Sequence, residues 1–402
     1  MVAPRRLSRP ASRAPGTSVS PGARTAGAAT RRLHRAVQAA WELLPEHVRT
    51  APPVVGCSGG ADSTALVLAV RAALDGPVHA AVVDHGLQAG SAERSAALAA
   101  RLRESGVDAA VHRVEVGAGG GPEAAARRAR RAALLDARPH PSSPVLLAHT
   151  LDDQAETVLL GLARGSGARS LAGMRAWDEP WLRPLLGLRR ADTAAACAEA
   201  GAEVWDDPHN SDPRFTRSRL RHEVLPLLEE ILGGGVAGAL ARTADQLRDD
   251  DDALAGLAAR LRADVGATTP GTPPGAGPDT LRDEPVQAAA AGAGDSRDNH
   301  PGADPAPTAP ADATDPPGDA VAPPLDAAVL AAAPAAVRRR VLREWLGTHG
   351  VRGLTDAQLR AADALVGRWR GQGGPTLGGG LELIRTRGRL VLRRRRWGRD
   401  RA

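Results

Sequence analysis

Pro53-Val-Val-Gly-Cys-Ser-Gly-Gly-Ala-Asp-Ser63 is the stretch on which the reading of this chain turns. Its first half, Pro53 to Cys57, is a short apolar run of strand character that stops at a glycine-rich turn. Ser58-Gly-Gly-Ala-Asp-Ser63 then opens a helical pattern. A strand that feeds a glycine turn and a helix N-terminus gathers backbone N–H groups around one point, which suits an anion. Gly59 and Gly60 let the backbone approach phosphate oxygens, and Ser58 and Ser63 flank Ala61 with hydroxyl donors. Asp62 cannot bind phosphate directly, so its expected use is to hold a Mg2+ ion that bridges the phosphates. The Gly-Lys-Ser/Thr ending of a Walker loop is missing. An ordinary strand-to-helix turn is the plain alternative.

Outward from this loop, short apolar runs alternate with longer helical patterns. Val78 to Asp84, Val107 to Val116 and Val145 to Ala148 read as strands; Ser91 to Glu104, Glu123 to Ala137 and Asp152 to Ala163 read as helices. This alternation predicts βαβ units around a parallel sheet. Ligands of such sheets bind beyond the carboxyl ends of the strands. Polar clusters at Ser58, Asp84 and His149 each follow a predicted strand, so they are expected to share one crevice.

The predicted architecture is therefore α/β: a parallel-sheet nucleotide-binding domain over 31–219, a helical extension over 220–265, and a small α+β C-terminal domain over 325–393. The extension rests on the spacing of Leu225, Leu228, Ile231, Leu240 and Leu247. Helices around Ala335 to Leu346 and Asp356 to Trp369, then a hairpin over Leu381 to Leu392, make up the small domain. Residues 1–30 read as a disordered tail and 394–402 as a basic one. The acidic Pro/Gly/Ala tract 266–324 has almost no large apolar residue to offset its ordering entropy, so it reads as a disordered linker.

Composition narrows the function classes. All 52 basic residues of the 402 are Arg, and aromatics are 2% with no Tyr and one Phe, so the core must be Ala, Val and Leu. The formal charge is +6, but 250–324 carries 13 acids against 4 Arg, which leaves +15 for the rest. That excess suits a polyanion such as RNA, although Arg-rich bias alone gives the same number. Cys57 and Cys197 lie in no metal-ligand spacing, and no apolar run approaches the length of a membrane span. Zinc and membranes are not expected, and the reading is a cytoplasmic protein.

His149-Thr-Leu-Asp-Asp-Gln-Ala-Glu156-Thr157 follows a predicted strand and enters a helix. Asp153 and Glu156 are three apart and share a helical face, so together they suit a cation, either Mg2+ or an ammonium group. Helix capping by Asp152 or Asp153 remains the structural alternative. Among Arg217, Arg219 and Arg221, which cannot all share one face, one arginine is expected at the phosphates, with Arg217 the candidate; a solvated basic face is the other reading. His85 suits either a ligand contact or a structural role.

Ser58–Ser63 resembles the PP-loop of ATP pyrophosphatases. The stretch from His149 through Arg164-Gly-Ser-Gly-Ala-Arg-Ser-Leu-Ala-Gly-Met174 resembles the tRNA(Ile)-lysidine synthetases. Val83-Asp-His-Gly-Leu87, Glu123-Ala-Ala-Ala-Arg127, Arg183-Pro-Leu-Leu186, Asp207-Pro-His-Asn210 and Phe215-Thr-Arg-Ser-Arg-Leu-Arg221 fall in that family's order. Asp84 and Ser218 depart from it, where Asn is common, as does Ala132, where the helix often carries Tyr. The resemblance implies a ligase that activates the C2 oxygen of the wobble cytidine of tRNA(Ile) with a CAU anticodon using ATP and Mg2+. L-lysine then displaces AMP, so that the tRNA reads AUA and changes identity from Met to Ile. On this reading Ser58 to Ser63 bind ATP, Asp62 holds Mg2+, and His149, Asp153 and Glu156 bind lysine. A homodimer is among the assembly states left open. Two other readings stand beside it: another PP-loop ligase, such as a thiolase, and a catalytically silent RNA-binding module.

Overall fold

The computed structural model describes residues 27–117, 121–165, 167–207, 212–267 and 320–395. Expectations for 1–26, 268–319 and 396–402, and for Ser166, His209 and Asn210, lie outside those residues. The chain divides into two compact units at Asp251/Asp252.

In the first unit α1 (Ala28–Glu42) and α2 (Glu46–Arg49) lead into β1 (Val54–Gly56) and α3 (Ala61–Ala73). Then come β2 (His79–Asp84), α4 (Ser91–Glu104), β3 (Asp108–Arg113), α5 (Pro122–Asp136), β4 (Val145–Leu146) and α6 (Leu151–Ala163). α7 (Ala168–Leu171), β5 (Trp177–Asp178), β6 (Trp181–Leu182) and α8 (Arg190–Glu199) complete the sheet region. Strand order is β3-β2-β1-β4-β6-β5, parallel except for the antiparallel edge pair β5–β6. β1 is central, with β2 on one side and β4 on the other, so the chain reverses direction across the sheet between β1 and β4. That is the switch point at which a ligand crevice opens. The core is chiefly Ala, Val and Leu, with Leu33, Leu66, Leu146, Leu182 and Leu185 essentially fully buried.

Sequence and structure part at some boundaries. α1 begins at Ala28, inside the stretch read as tail, because a distant side chain caps it. The Glu199 carboxylate accepts from Ala29 N at 3.0 Å and Thr30 N at 2.9 Å. A Cβ on Gly27 would collide with that carboxylate. β5, β6 and α8 lie in a region whose pattern was not read as regular structure; two-residue strands carry no periodicity to read. The helical extension is also broken. After α9 (Thr216–Arg219), a π-helical turn spans Leu220–Val224, and α10 (Leu225–Ile231) then stops. Gly233, Gly234 and Gly235 follow, all with positive φ, and α11 (Val236–Ala267) restarts with the Glu229 carboxylate accepting from Val236 N and Ala237 N. Left-handed backbone at three successive residues cannot continue a helix.

The second unit contains the end of α11, β7 (Leu325–Asp326), α12 (Ala327–Ala331), α13 (Ala335–Thr348), α14 (Asp356–Gly367), β8 (Thr376–Leu377), β9 (Leu381–Thr386) and β10 (Arg389–Arg394). Its antiparallel sheet has the order β7-β10-β9-β8. Leu342, Leu346, Leu365, Leu383 and Leu390 form its core, which Ala258 and Val265 of α11 join. Ala320 to Pro324, read as linker, are described: Ala320 bridges to Arg393 and Ala322 is buried.

Candidate active site

Beyond β1 and β4 lies a cleft of about 750 Å3 lined by Ser58 to Ser63, His85, His149, Arg130, Arg190 and Arg221, among others. The loop after β1 is internally braced. Gly59 takes φ +85, which L side chains rarely adopt. Ser63 Oγ accepts from Ser58 N at 3.1 Å and donates to the Gly60 carbonyl at 3.1 Å. The Gly59 carbonyl accepts from Trp205 N at 2.9 Å, and Arg94 lies 5.0 Å over the Trp205 ring. The segment 203–207 thus flanks the loop, held also by Gln88 donating to Asp207 at 3.1 Å.

Asp62, in the first turn of α3, accepts from the Thr193 hydroxyl and faces Arg190 Nε at 3.4 Å. Burial pushes its carboxyl above the usual range, because Thr193 and Arg190 only partly offset the desolvation.

α6 begins with a reciprocal capping box. Asp153 accepts from Thr150 N at 2.8 Å, and Asp153 N meets the Thr150 hydroxyl at 3.5 Å. The capping role and the cation-facing role of Asp153 therefore coexist, one on each carboxylate oxygen. Its other oxygen takes Arg190 Nη2 at 2.9 Å and Arg221 Nη2 at 3.3 Å. Burial disfavours the charged Asp153, but Arg190, the Thr150 N–H and Arg221 outweigh it and hold the carboxyl below its usual range. Glu156, 1% exposed, sits one turn on, with Arg221 Nε at 2.9 Å and Arg190 Nη2 at 3.5 Å from Oε1. Its Oε2 has no hydrogen-bond donor among the described residues, and Arg217 Nη1 is 3.8 Å away.

The expected convergence of the clusters at Ser58, Asp84 and His149 is thus present in the structure, while Asp153 and Glu156 meet the cleft-lining Arg190 and Arg221 without lining the cleft themselves. The arginines are arranged differently from expectation. Arg217 and Arg221, four apart, both turn toward Glu156, while Arg219 points to Glu223 at 2.9 Å. Arg221 lines the cleft and Arg217 does not; Arg217 sits between Glu156 and Glu123. The arginine in contact with all three carboxylates is Arg190, which sequence reasoning missed. Asp152 fixes it from below, accepting from Arg190 N at 2.7 Å. The signal was faint, an Arg-Arg pair opening an unread helix.

His149 is buried, and desolvation drives its imidazole down to about 3, so the ring is neutral. Its Nδ1 finds no partner among the described residues, nor does Nδ1 of His85. Asp84, which also lines the cleft, braces its own turn, accepting from Gly86 N at 3.0 Å with Arg113 at 3.6 Å. Cys57 and Cys197 are buried, free thiols. Burial raises both, Cys197 to about 11, which keeps them from acting as thiolates. Among the described residues no group of three or more His, Cys, Asp or Glu could hold a metal ion by itself, and no single helix is long and apolar enough to cross a membrane.

Residues 31–228 match the PP-loop domain family and residues 325–391 the TilS substrate binding domain family. The chain is 51% identical over 361 residues to the tRNA(Ile)-lysidine synthase of Nocardia farcinica, covering 87% of this chain and 95% of that protein. It is 51% identical over 348 residues to that of Mycobacterium tuberculosis (85% and 90%) and 48% identical over 372 residues to that of Rhodococcus erythropolis (90% and 94%).

Proposed function

Because the chain belongs to the tRNA(Ile)-lysidine synthase family, we propose that it joins L-lysine to the wobble cytidine of tRNA(Ile) bearing a CAU anticodon, in the cytoplasm, at the expense of ATP. The observation that carries this reading is that Arg190, which lines the cleft together with the loop Ser58 to Ser63, also reaches the carboxylates Asp62, Asp153 and Glu156.

The C2 oxygen of the cytidine attacks the α-phosphorus of ATP and pyrophosphate leaves. The lysine side-chain nitrogen then bonds to C2, losing a proton as AMP departs. Backbone N–H groups at the start of α3 receive the phosphates. Arg190 and Arg221 line the cleft, where their positive charge offsets negative charge as pyrophosphate leaves. Asp62 fits a magnesium ion held chiefly by phosphates. It spends one lone pair on Thr193 and faces Arg190 at 3.4 Å, while a carboxylate has about four acceptor sites. Bound there, the ion would neutralise pyrophosphate charge.

The lysine ammonium has an acceptor waiting. Glu156 Oε2 is buried without a donor, and an ammonium group supplies one where the arginine forks do not reach. Asp153, one turn before it, shares the charge. His149, neutral and with an unpartnered ring nitrogen, lies beside them to contact the substrate.

The test is ligation of labelled lysine to an unmodified tRNA(Ile) transcript with a CAU anticodon, with ATP and magnesium present and then omitted. Labelling that needs both is expected; none from folded, ATP-binding protein would sink the proposal. Asp153→Ala and Glu156→Ala should raise KM for lysine far more than KM for ATP. Equal increases would remove the lysine assignment.

A further inference from the structure

In a chain with no Tyr and one Phe, the seven tryptophans supply nearly all the aromatic surface. Trp369, 38% exposed, is the only exposed one among the described residues. It follows the end of α14 between Arg368 and Arg370, both also exposed and neither with a carboxylate partner among the described residues.

The loop that presents it is firmly built. Gln372 Nε2 donates to the carbonyls of Ala364 at 3.1 Å and Arg368 at 3.0 Å, while its Oε1 accepts from Arg370 N at 2.6 Å. Gly371 takes φ +85, and Gly374 lies so close to the Leu383 carbonyl on β9 that no Cβ would fit. The ring is held as well. Arg385 donates from Nη1 to the Leu365 carbonyl at 2.8 Å, and its guanidinium stands 5.4 Å from the Trp369 ring centroid.

A rigid loop that leaves an indole 38% exposed gains little for stability from that exposed part. The surroundings indicate what it would gain in binding. Residues 335–395 hold fourteen arginines and four acids. A depression of about 280 Å3 in the same unit is rimmed by Arg338, Arg339, Arg360 and Arg368. A protein-docking face would need contiguous apolar surface, whereas here the one apolar plane is bordered by cations. A flat ring beside unpaired guanidinium groups matches a nucleotide, with a base to stack and phosphates on either side.

We propose that Trp369 is a stacking platform for one unpaired base of the RNA substrate, with Arg368 and Arg370 neutralising the adjoining phosphates. This rests on the chain acting on tRNA. It adds a contact in the second unit, which contributes no residue to the lining of the catalytic cleft.

The experiment measures binding of unmodified tRNA(Ile) to the full chain across a salt series, with lysine ligation kinetics and Tm alongside. Trp369→Ala should weaken binding on the order of tenfold with the salt slope unchanged, since stacking releases no counterions. Trp369→Phe should retain most of the affinity, and KM for ATP should not move. The double variant Arg368→Gln/Arg370→Gln should flatten the slope by about 1.4, two phosphates at ~0.7 each. Wild-type affinity in Trp369→Ala, or an equal rise in KM for ATP and tRNA together with a fall in Tm, would overturn this inference alone. A wild-type chain that binds no tRNA would overturn both it and the proposed function.

Discussion

Arg190→Met removes the side chain that ties the three carboxylates together, and the structure gives the size of the effect. Arg190 lies 2.9 Å from Asp153, 3.5 Å from Glu156 and 3.4 Å from Asp62, with its side chain 28% exposed. Stripping one partner from a buried ion cluster costs about 3–5 kcal/mol. Partial exposure and the survival of Arg221, still 2.9 Å from Glu156 and 3.3 Å from Asp153, reduce that to about 2–3 kcal/mol. For a unit of this size each kcal/mol moves Tm by about 2–4 °C, so a fall on the order of 5–10 °C is expected near pH 7. The effect must also depend on pH with a definite sign. Against the cost of burial, Arg190, the Thr150 N–H and Arg221 hold the Asp153 carboxyl low. Its stabilisation is therefore present above its unfolded value, 3.8, and is lost as pH falls through the lower folded value. Without Arg190 much of that stabilisation is already gone, so the gap between wild type and variant should narrow as pH falls through that region. Calorimetry of the first unit's transition near pH 7 and well below pH 3.8 checks both statements. In addition, Arg190→Met/Asp153→Asn should lose less than the two single losses combined, with a coupling of about 1 kcal/mol or more. A wild-type Tm at pH 7, a gap independent of pH, or strict additivity would refute the reasoning.

Asp62→Asn should raise Tm while abolishing ATP-dependent ligation. The native carboxyl is raised by burial, so the charged form strains the fold at neutral pH; stability is lost as pH rises from the unfolded value through the folded one. Thermal scans beside the ligation assay decide it, and a destabilised Asp62→Asn would contradict the electrostatic picture. His149 should show no imidazole titration by NMR between about pH 5 and 8. Because the unfolded ring binds a proton near 6.5 that the folded ring refuses until about 3, its contribution erodes stability below 6.5; a His149→Asn variant should lose that slope. Gly374→Ala drives a methyl group into the Leu383 carbonyl and should destabilise the second unit by about 3 kcal/mol or more, read as a lowered urea midpoint.

Much of this protein is carried by local pattern. The run Pro53 to Ser63 announced strand, turn and helix because glycines and an apolar strand leave few other conformations, and Ser91–Glu104 was bounded correctly to the residue. Asp153 and Glu156 were paired by nothing more than helical spacing, and the structure points both at Arg190 and Arg221. Long-range partners were invisible. Glu199 starts α1 from 170 residues away, and Thr193 reaches back 131 residues to Asp62. No periodicity encodes such contacts, which exist only once the sheet has brought β1 and β4 side by side. The same holds for choosing among the arginines: spacing showed only that Arg217, Arg219 and Arg221 cannot all share one face, and which one enters the cleft depends on the π-helical turn at Leu220–Val224. Sequence by itself determined the glycine-rich loop, the acidic pair and the succession of β1 to β4 along the chain, since each rests on near-neighbour sterics and hydrogen bonding. Only the tertiary structure decided that Arg190 joins the three carboxylates, that Glu156 Oε2 has no donor among the described residues, and that Trp369 is left partly exposed, because burial and charge balance are properties of the packed whole.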